Sequence, residues 1–314
     1  MPQNSASTVA SEIEAIIARA MREYNEARGN DSVDAFVNEV VSVTVNDGTY
    51  TVANATDSAV TPEPETPPEI PANSNSILVD EQTSRFSSAV WFDNVQLKNV
   101  TLAGLGGIGS YIAFLLGRIH VHQIILYDDD IVEAGNMSGQ FYQTNQVGRS
   151  KVRSTCDQLA QFSSYYDTVA FEERFSPTSS PTDIMICGFD SMEARRIFYE
   201  RWKQWVQAKP EEDRKKCLFI DGRLAAESFQ IFCIKGDDAY SMKRYETDWL
   251  FDDSEAQETI CSYKQTSFMA NMIGSLVVNL FVNFCANECD PLVPRDLPFF
   301  TEYTAETFYF KVVN

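Results

Sequence analysis

The residues best placed to do chemistry in this chain lie between Val100 and Lys151. An apolar stretch, residues 100–103, runs into Gly104-Leu105-Gly106-Gly107-Ile108-Gly109-Ser110. Gly104, Gly106, Gly107 and Gly109 permit a tight turn in which backbone N–H groups approach a phosphate at a helix N-terminus, with Ile108 inside the same turn. A second apolar stretch, residues 123–127, ends in Asp128, Asp129 and Asp130. A carboxylate at that position accepts hydrogen bonds from ribose hydroxyls, which suits Asp128, with Asp130 as its support or as a metal ligand. Asp129 reads as a solvated acidic turn. Asn136, Gln140 and Lys151 complete the segment. Lys151 would place an ammonium group on phosphate oxygens, and Asn136 would orient phosphate or loop backbone. Asn136, Gln140 and Lys151 are foreign to the dehydrogenase pattern, which shares only the glycine turn and terminal acid.

The elements that must position these groups alternate along the chain. Strands are expected at residues 99–104, 123–127, 168–172, 184–188, 217–222 and 229–234, with helices at 108–117, 151–161, 192–208 and 267–287. This alternation implies a mainly parallel sheet with helices on both faces. Asp190 follows the fourth of these strands and would sit beside the crevice at its carboxyl end, while also capping the helix that carries Arg195. An acidic stretch, residues 246–258, reads as a crossover loop or lid. Upstream, Ser11 and Glu14 form a capping-box pattern that opens a helix, and alternating valines around Asn46-Asp47-Gly48 signal a hairpin. A proline- and glutamate-rich stretch then reads as an extended linker. The expected organisation is an α+β appendage over residues 1–60, a linker over 61–78 and the main α/β domain over 79–314.

Composition narrows the function classes. Forty-five acidic against 25 basic residues give a formal net charge of -20, which opposes non-specific binding to nucleic acid or an anionic membrane surface. A hydrophobic fraction of 44% argues for a packed body rather than disorder. No stretch approaches roughly 18 uninterrupted apolar residues, and the N-terminus has no signal-peptide pattern. Seven scattered cysteines fit reduced thiols better than a disulfide framework, so a cytoplasmic location is expected. Two histidines, His120 and His122, give a Ser-His-Asp triad no support.

Taken in order, the glycine run, Asp128-x-Asp130, Asn136 with Gln140, Gly148-x-x-Lys151, and Asp190 with Arg195 make residues 82–285 resemble the ThiF/MoeB family, the adenylating domains of ubiquitin-activating-type enzymes. Asp221-Gly222 and Gly274-Ser275 also sit where that family often has such residues. The resemblance implies a Rossmann-like, ThiF-like α/β fold and a homodimer. It implies ATP and Mg²⁺ as cofactors, and adenylation of the C-terminal carboxylate of a small ubiquitin-like or sulfur-carrier-type protein or peptide. It further implies that Asp190 is required for adenylation, through Mg²⁺. Arg85 lies where family members carry an arginine that crosses a dimer interface into the partner's ATP site. Cys261 is positioned like the cysteine that takes the acyl group as a thioester or joins a sulfur relay, with Lys264 nearby to lower its pKa. A small buried hydrophobe is the competing reading of Cys261, and the zinc-binding Cys-x-x-Cys pairs of many relatives are missing, so no zinc is expected.

Gly139 departs from the pattern, because the family usually has an arginine immediately before the glutamine that matches Gln140. Either Arg149, Arg153 or Arg118 substitutes, or the protein is a weak or repurposed adenylating enzyme. A non-catalytic ATP-binding interaction protein and a nicotinamide-dependent dehydrogenase stay open as alternatives.

Overall fold

The computed structural model describes residues 40–46, 49–54, 81–251 and 265–314. The chain divides into two compact units, Met1–Ile70 and Pro71–Asn314, at a point within the proline-rich stretch. In the first unit β1 (Val40–Asn46) and β2 (Thr49–Asn54) pair antiparallel, with Val45 opposite Tyr50 and Asn46 opposite Thr49. The two strands flank the Asn46-Asp47-Gly48 signal, of which Asp47 and Gly48 lie outside the described residues. The helix expected to open at Ser11, and the linker, lie outside the described residues.

The second unit is built on an eight-stranded sheet. Its strands are β3 (Asn99–Ala103), β4 (Gln123–Tyr127), β5 (Thr168–Phe171), β6 (Ile184–Cys187), β7 (Leu218–Ala225), β8 (Ser228–Lys235), β9 (Phe300–Thr304) and β10 (Tyr309–Val313). The order β10-β9-β8-β7-β6-β3-β4-β5 makes β7 to β5 parallel and β7 to β10 antiparallel. Successive strand residues turn to opposite faces, so one β6 strand feeds two cores. Ile184 and Ile186 join α1 (Phe92–Val95), α2 (Gly107–Arg118), α3 (Lys151–Ser163) and α7 (Ser267–Cys289). Met185 and Cys187 join α4 (Met192–Gln207) and α6 (Ala239–Asp248), where Phe198, Tyr199, Trp202 and Tyr245 pack. Between those two helices lies the short α5 (Glu211–Arg214). Burial on both faces explains why the parallel strands read as continuous apolar runs.

Two differences from expectation concern the length of β7 and three further elements. Strand β7 runs to Ala225 rather than stopping at residue 222, because β8 pairs with its extension residue by residue as far as Ser228. Helix α6 and strands β9 and β10 were not anticipated. Strand β10 is an exposed edge with little burial to pattern its sequence. Helix α7, at 23 residues, is long and apolar enough by composition to cross a membrane. It is instead a core helix: Met269, Ile273, Val277, Phe281 and Phe284 are buried, while Phe268, Met272 and Asn279 face outward.

Candidate functional site

The glycine turn between β3 and α2 is held by backbone shape that side chains would prevent. Gly104 has φ +82°, in the left-handed region, and a Cβ on Gly109 would overlap the Gly104 carbonyl oxygen. The first turn of α2 can therefore fold back onto the strand end. Gly109→Ala is expected to destabilise the protein by about 1–3 kcal/mol through this overlap, read as a lower denaturant midpoint. Unchanged stability would show that the turn is not packed this way. Gly106 occupies the N-cap position with no side chain to satisfy the first N–H groups of α2. Such orphan donors, with the positive end of the helix dipole, suit an anion.

Asp128, just past β4, braces this turn. Its Oδ2 accepts from the Leu105 N–H at 2.6 Å and its Oδ1 from the Asp130 N–H at 2.9 Å. Burial pushes its carboxyl pKa above the usual carboxylate value, against the pull of Lys151 and these two donors. Tyr142 adds a second brace, donating its hydroxyl to the Leu105 carbonyl at 2.7 Å.

Lys151 opens α3 and is nearly buried, with its ammonium 2.8 Å from Asp130 Oδ2. A bridge between Ile131 and Ser150, and the Lys151 N–H to Asp130 carbonyl bond at 3.0 Å, hold the two loops together. Asn136 builds the intervening turn. Its Oδ1 accepts from the Glu133 N–H at 2.9 Å and its carbonyl from the Gln140 N–H at 2.8 Å. The turn presents Gln140, whose Oε1 is buried without a hydrogen-bond partner. A buried acceptor left open in this way is expensive unless something else satisfies it.

Across the crevice, Asp190 is exposed between β6 and α4. The N-cap of α4 is Ser191, whose hydroxyl accepts from the Ala194 N–H at 3.3 Å. The expectation that Asp190 caps this helix is corrected: the cap lies one residue on, and the Asp190 carboxylate is not spent on it. The Arg195 guanidinium donates to the Phe189 carbonyl and so ties down the loop that carries Asp190. It also pairs with Asp221, which is fully buried. Asp221 accepts from Arg223 Nε and from the Tyr245 hydroxyl, both at 2.8 Å. Burial alone would raise the Asp221 carboxyl pKa, but Arg195 and Arg223 hold it below the usual value.

A cleft of about 980 Å³ gathers Asp130, Asn136, Gln140, Lys151 and Asp190 on its walls. Arg195, Arg223 and Gln265 line it too, and neither Arg223 nor Gln265 carried a motif by which the sequence would single it out. The arginines offered as substitutes at Gly139 are engaged elsewhere. Arg149 pairs with Asp157 and Arg153 with Glu172, while Arg118 donates to the Phe162 carbonyl; none lines the cleft. Arg85 is exposed and lies away from this chain's own cleft. Its neighbour Gln82 bonds to His120 and Ser164, which follow the C-terminal ends of α2 and α3. The glycine turn is at the other end of α2, roughly 18 Å away at 1.5 Å per residue. Cys261 and Lys264 lie outside the described residues. Of the other cysteines, Cys187, Cys217, Cys233 and Cys285 are buried, Cys156 is half-buried and Cys289 is exposed.

The sheet order, the glycine turn at a helix N-terminus and the polar crevice at the strand ends define a Rossmann-like α/β domain of the ThiF type. A profile of the ThiF family matches residues 84–313, and the chain belongs to that family. It is similar to ubiquitin-like modifier-activating enzyme 5 of Caenorhabditis elegans, at 43% identity over 68 residues, covering 22% of this chain and 16% of the relative. It is also similar to ubiquitin-like modifier-activating enzyme 5 of Dictyostelium discoideum, at 26% identity over 216 residues, covering 60% and 53%. The chain thus spans about half the length of these relatives or less. Among solved structures the fold is shared with PaaA (TM-score 0.58, 15% identity, covering 99% of this chain and 90% of that one). It is shared too with E. coli MccB solved with ATP (TM-score 0.53, 15% identity, covering 78% and 73%).

Proposed function

We propose that the protein is an ATP-dependent adenylyltransferase that activates the C-terminal carboxylate of a small ubiquitin-like or sulfur-carrier-type protein or peptide. The observation that carries this reading is the convergence of Lys151, Asn136, Gln140, Asp130 and Asp190 on one cleft beside the unsatisfied N-terminus of α2. Relatives named as ubiquitin-like modifier-activating enzymes, and the fold shared with MccB solved with ATP and with MccA, support it.

In the proposed reaction a carboxylate oxygen bonds to the α-phosphorus of ATP. The bond from that phosphorus to the bridging oxygen breaks, and pyrophosphate leaves with the electron pair. Both reactants are anions, so the site must hold negative charge in place rather than supply a strong acid or base. The α2 N–H groups and the Lys151 ammonium meet that need, and the unpartnered Gln140 Oε1 is open to a donor from the nucleotide. The carboxylates of Asp190 and Asp130 are hard oxygen donors of the kind that would hold Mg²⁺, which when bound would offset phosphate charge. Arg85, remote from its own cleft, would serve that of a second copy in a homodimer. In a later step the Cys261 thiolate would attack the acyl carbonyl, forming a thioester as the bond to the adenylate oxygen breaks and AMP leaves.

The test is ATP–pyrophosphate exchange across a panel of glycine-ended peptides and small proteins. Exchange that depends on one of them is the expected result, whereas bound ATP with no exchange across the panel would overturn the enzyme reading. Lys151→Met is expected to weaken ATP binding by roughly 10- to 150-fold, the loss of one charge-assisted contact. Since Asp130 is largely exposed, the variant should keep its melting temperature. A second reading, an ATP-binding interaction protein, is favoured by one observation. Both cleft-lining guanidinium groups among the described residues are committed to Asp221, leaving Gly139 uncompensated.

A further inference from the structure

The Gln265 side chain lies on the glycine turn. A Cβ on Gly107 would overlap its carboxamide oxygen and sit 2.7 Å from its Cδ. A Cβ on Gly139 would sit 2.7 Å from its Cγ and 3.3 Å from its Nε2. The carboxamide therefore occupies the space over the N-terminus of α2, pressed between two glycine backbones that come from distant parts of the chain. On the other side of the turn Gln140 Nε2 would be 4.0 Å from a Cβ on Gly106. Gln265 is anchored by a parallel bridge to Ala226, which holds a left-handed φ of +54° at the tip of the β7–β8 hairpin.

We propose that the Gln265 carboxamide and the phosphates of a bound nucleotide compete for this one space, so that Gln265 sets the nucleotide affinity of the site and Gly139 provides the room for it. The inference rests on the nucleotide reading above and adds a residue that controls it. A nucleotide phosphate is an anion and the carboxamide is neutral, so the positive end of the helix favours phosphate in that space. Displacement has a cost, because the binding-competent population is only the fraction in which the carboxamide is unseated. Any side chain at position 139 would push against Gln265 Cγ. Gly139 is thus a condition for the seated carboxamide as well as the loss of a cation.

The test compares Gln265→Ala, Gly139→Ala and the double variant with the wild type in calorimetric titrations with ATP, with adenosine measured by competition. If the carboxamide is seated about nine-tenths of the time, Gln265→Ala tightens ATP binding about tenfold and leaves adenosine unchanged. Gly139→Ala shifts ATP affinity in the same direction, and the double variant gains no more than Gln265→Ala alone. Gln265→Asn, which withdraws the carboxamide by one carbon and keeps its chemistry, falls between wild type and alanine. Weaker or unchanged ATP binding in Gln265→Ala, or equal shifts for ATP and adenosine, would overturn this inference while leaving the nucleotide site standing. No ATP binding by either wild type or Gln265→Ala would overturn both.

Discussion

Asp190→Ala is expected to lower substrate-dependent ATP–pyrophosphate exchange by about 10³-fold, the scale set by losing several kcal/mol of metal-assisted charge stabilisation. Ser191, rather than Asp190, caps α4, and Asp190 faces the cleft opposite Lys151 and Asp130. Removing an exposed side chain that makes no cap should change stability by less than about 0.5 kcal/mol. The loss would therefore fall on exchange and on its Mg²⁺ dependence, with the unfolding midpoint preserved. Asp190→Asn, which keeps shape and loses charge, should resemble alanine. Retention of exchange to within tenfold in either variant would remove Asp190 from the machinery.

The second large effect is on the fold. Asp221→Asn should destabilise the protein by about 3–5 kcal/mol, because two nearly buried guanidinium groups would lose the one carboxylate that both engage. For a domain of this size that corresponds to a drop in melting temperature of roughly 10 °C. The sign of the pH dependence follows from the direction of the shift. The folded pKa of Asp221 is depressed, so its stabilisation is full above the ordinary carboxylate value of about 4 and is lost as pH falls through the depressed one. Urea unfolding of the wild type should steepen its loss of stability in that acid range. Asp221→Asn should lack that component. Parallel acid profiles for the two proteins would show that the buried network does not carry this linkage. Cleft chemistry would be affected as well, since Arg195 holds the Phe189 carbonyl and with it the loop bearing Asp190.

Much of the candidate site was legible in the sequence because its signals are local. A glycine run after an apolar stretch, an acid after the next, and a lysine at a helix start each follow from the backbone geometry of a few neighbouring residues. The sequence alone determined the strand–turn–helix framework, the family resemblance and the candidates Lys151, Asp190, Asn136 and Gln140. The capping residue of α4 was displaced by one position because Asp190 and Ser191 are both good caps, and only backbone geometry separates them. The antiparallel half of the sheet was partly hidden, since an edge such as β10 buries too little to impose a pattern.

Tertiary structure decided what no local pattern encodes. It set Gln265 over Gly107 and Gly139, and it brought Arg195 from α4 onto Asp221 of β7. It also carried Arg149, Arg153 and Arg118 away from the gap at Gly139. The reason is physical: local conformation depends on residues a few positions apart, whereas these contacts depend on strand register and on how α2, α4 and α7 pack against the sheet. Those are set by the burial of the whole domain at once.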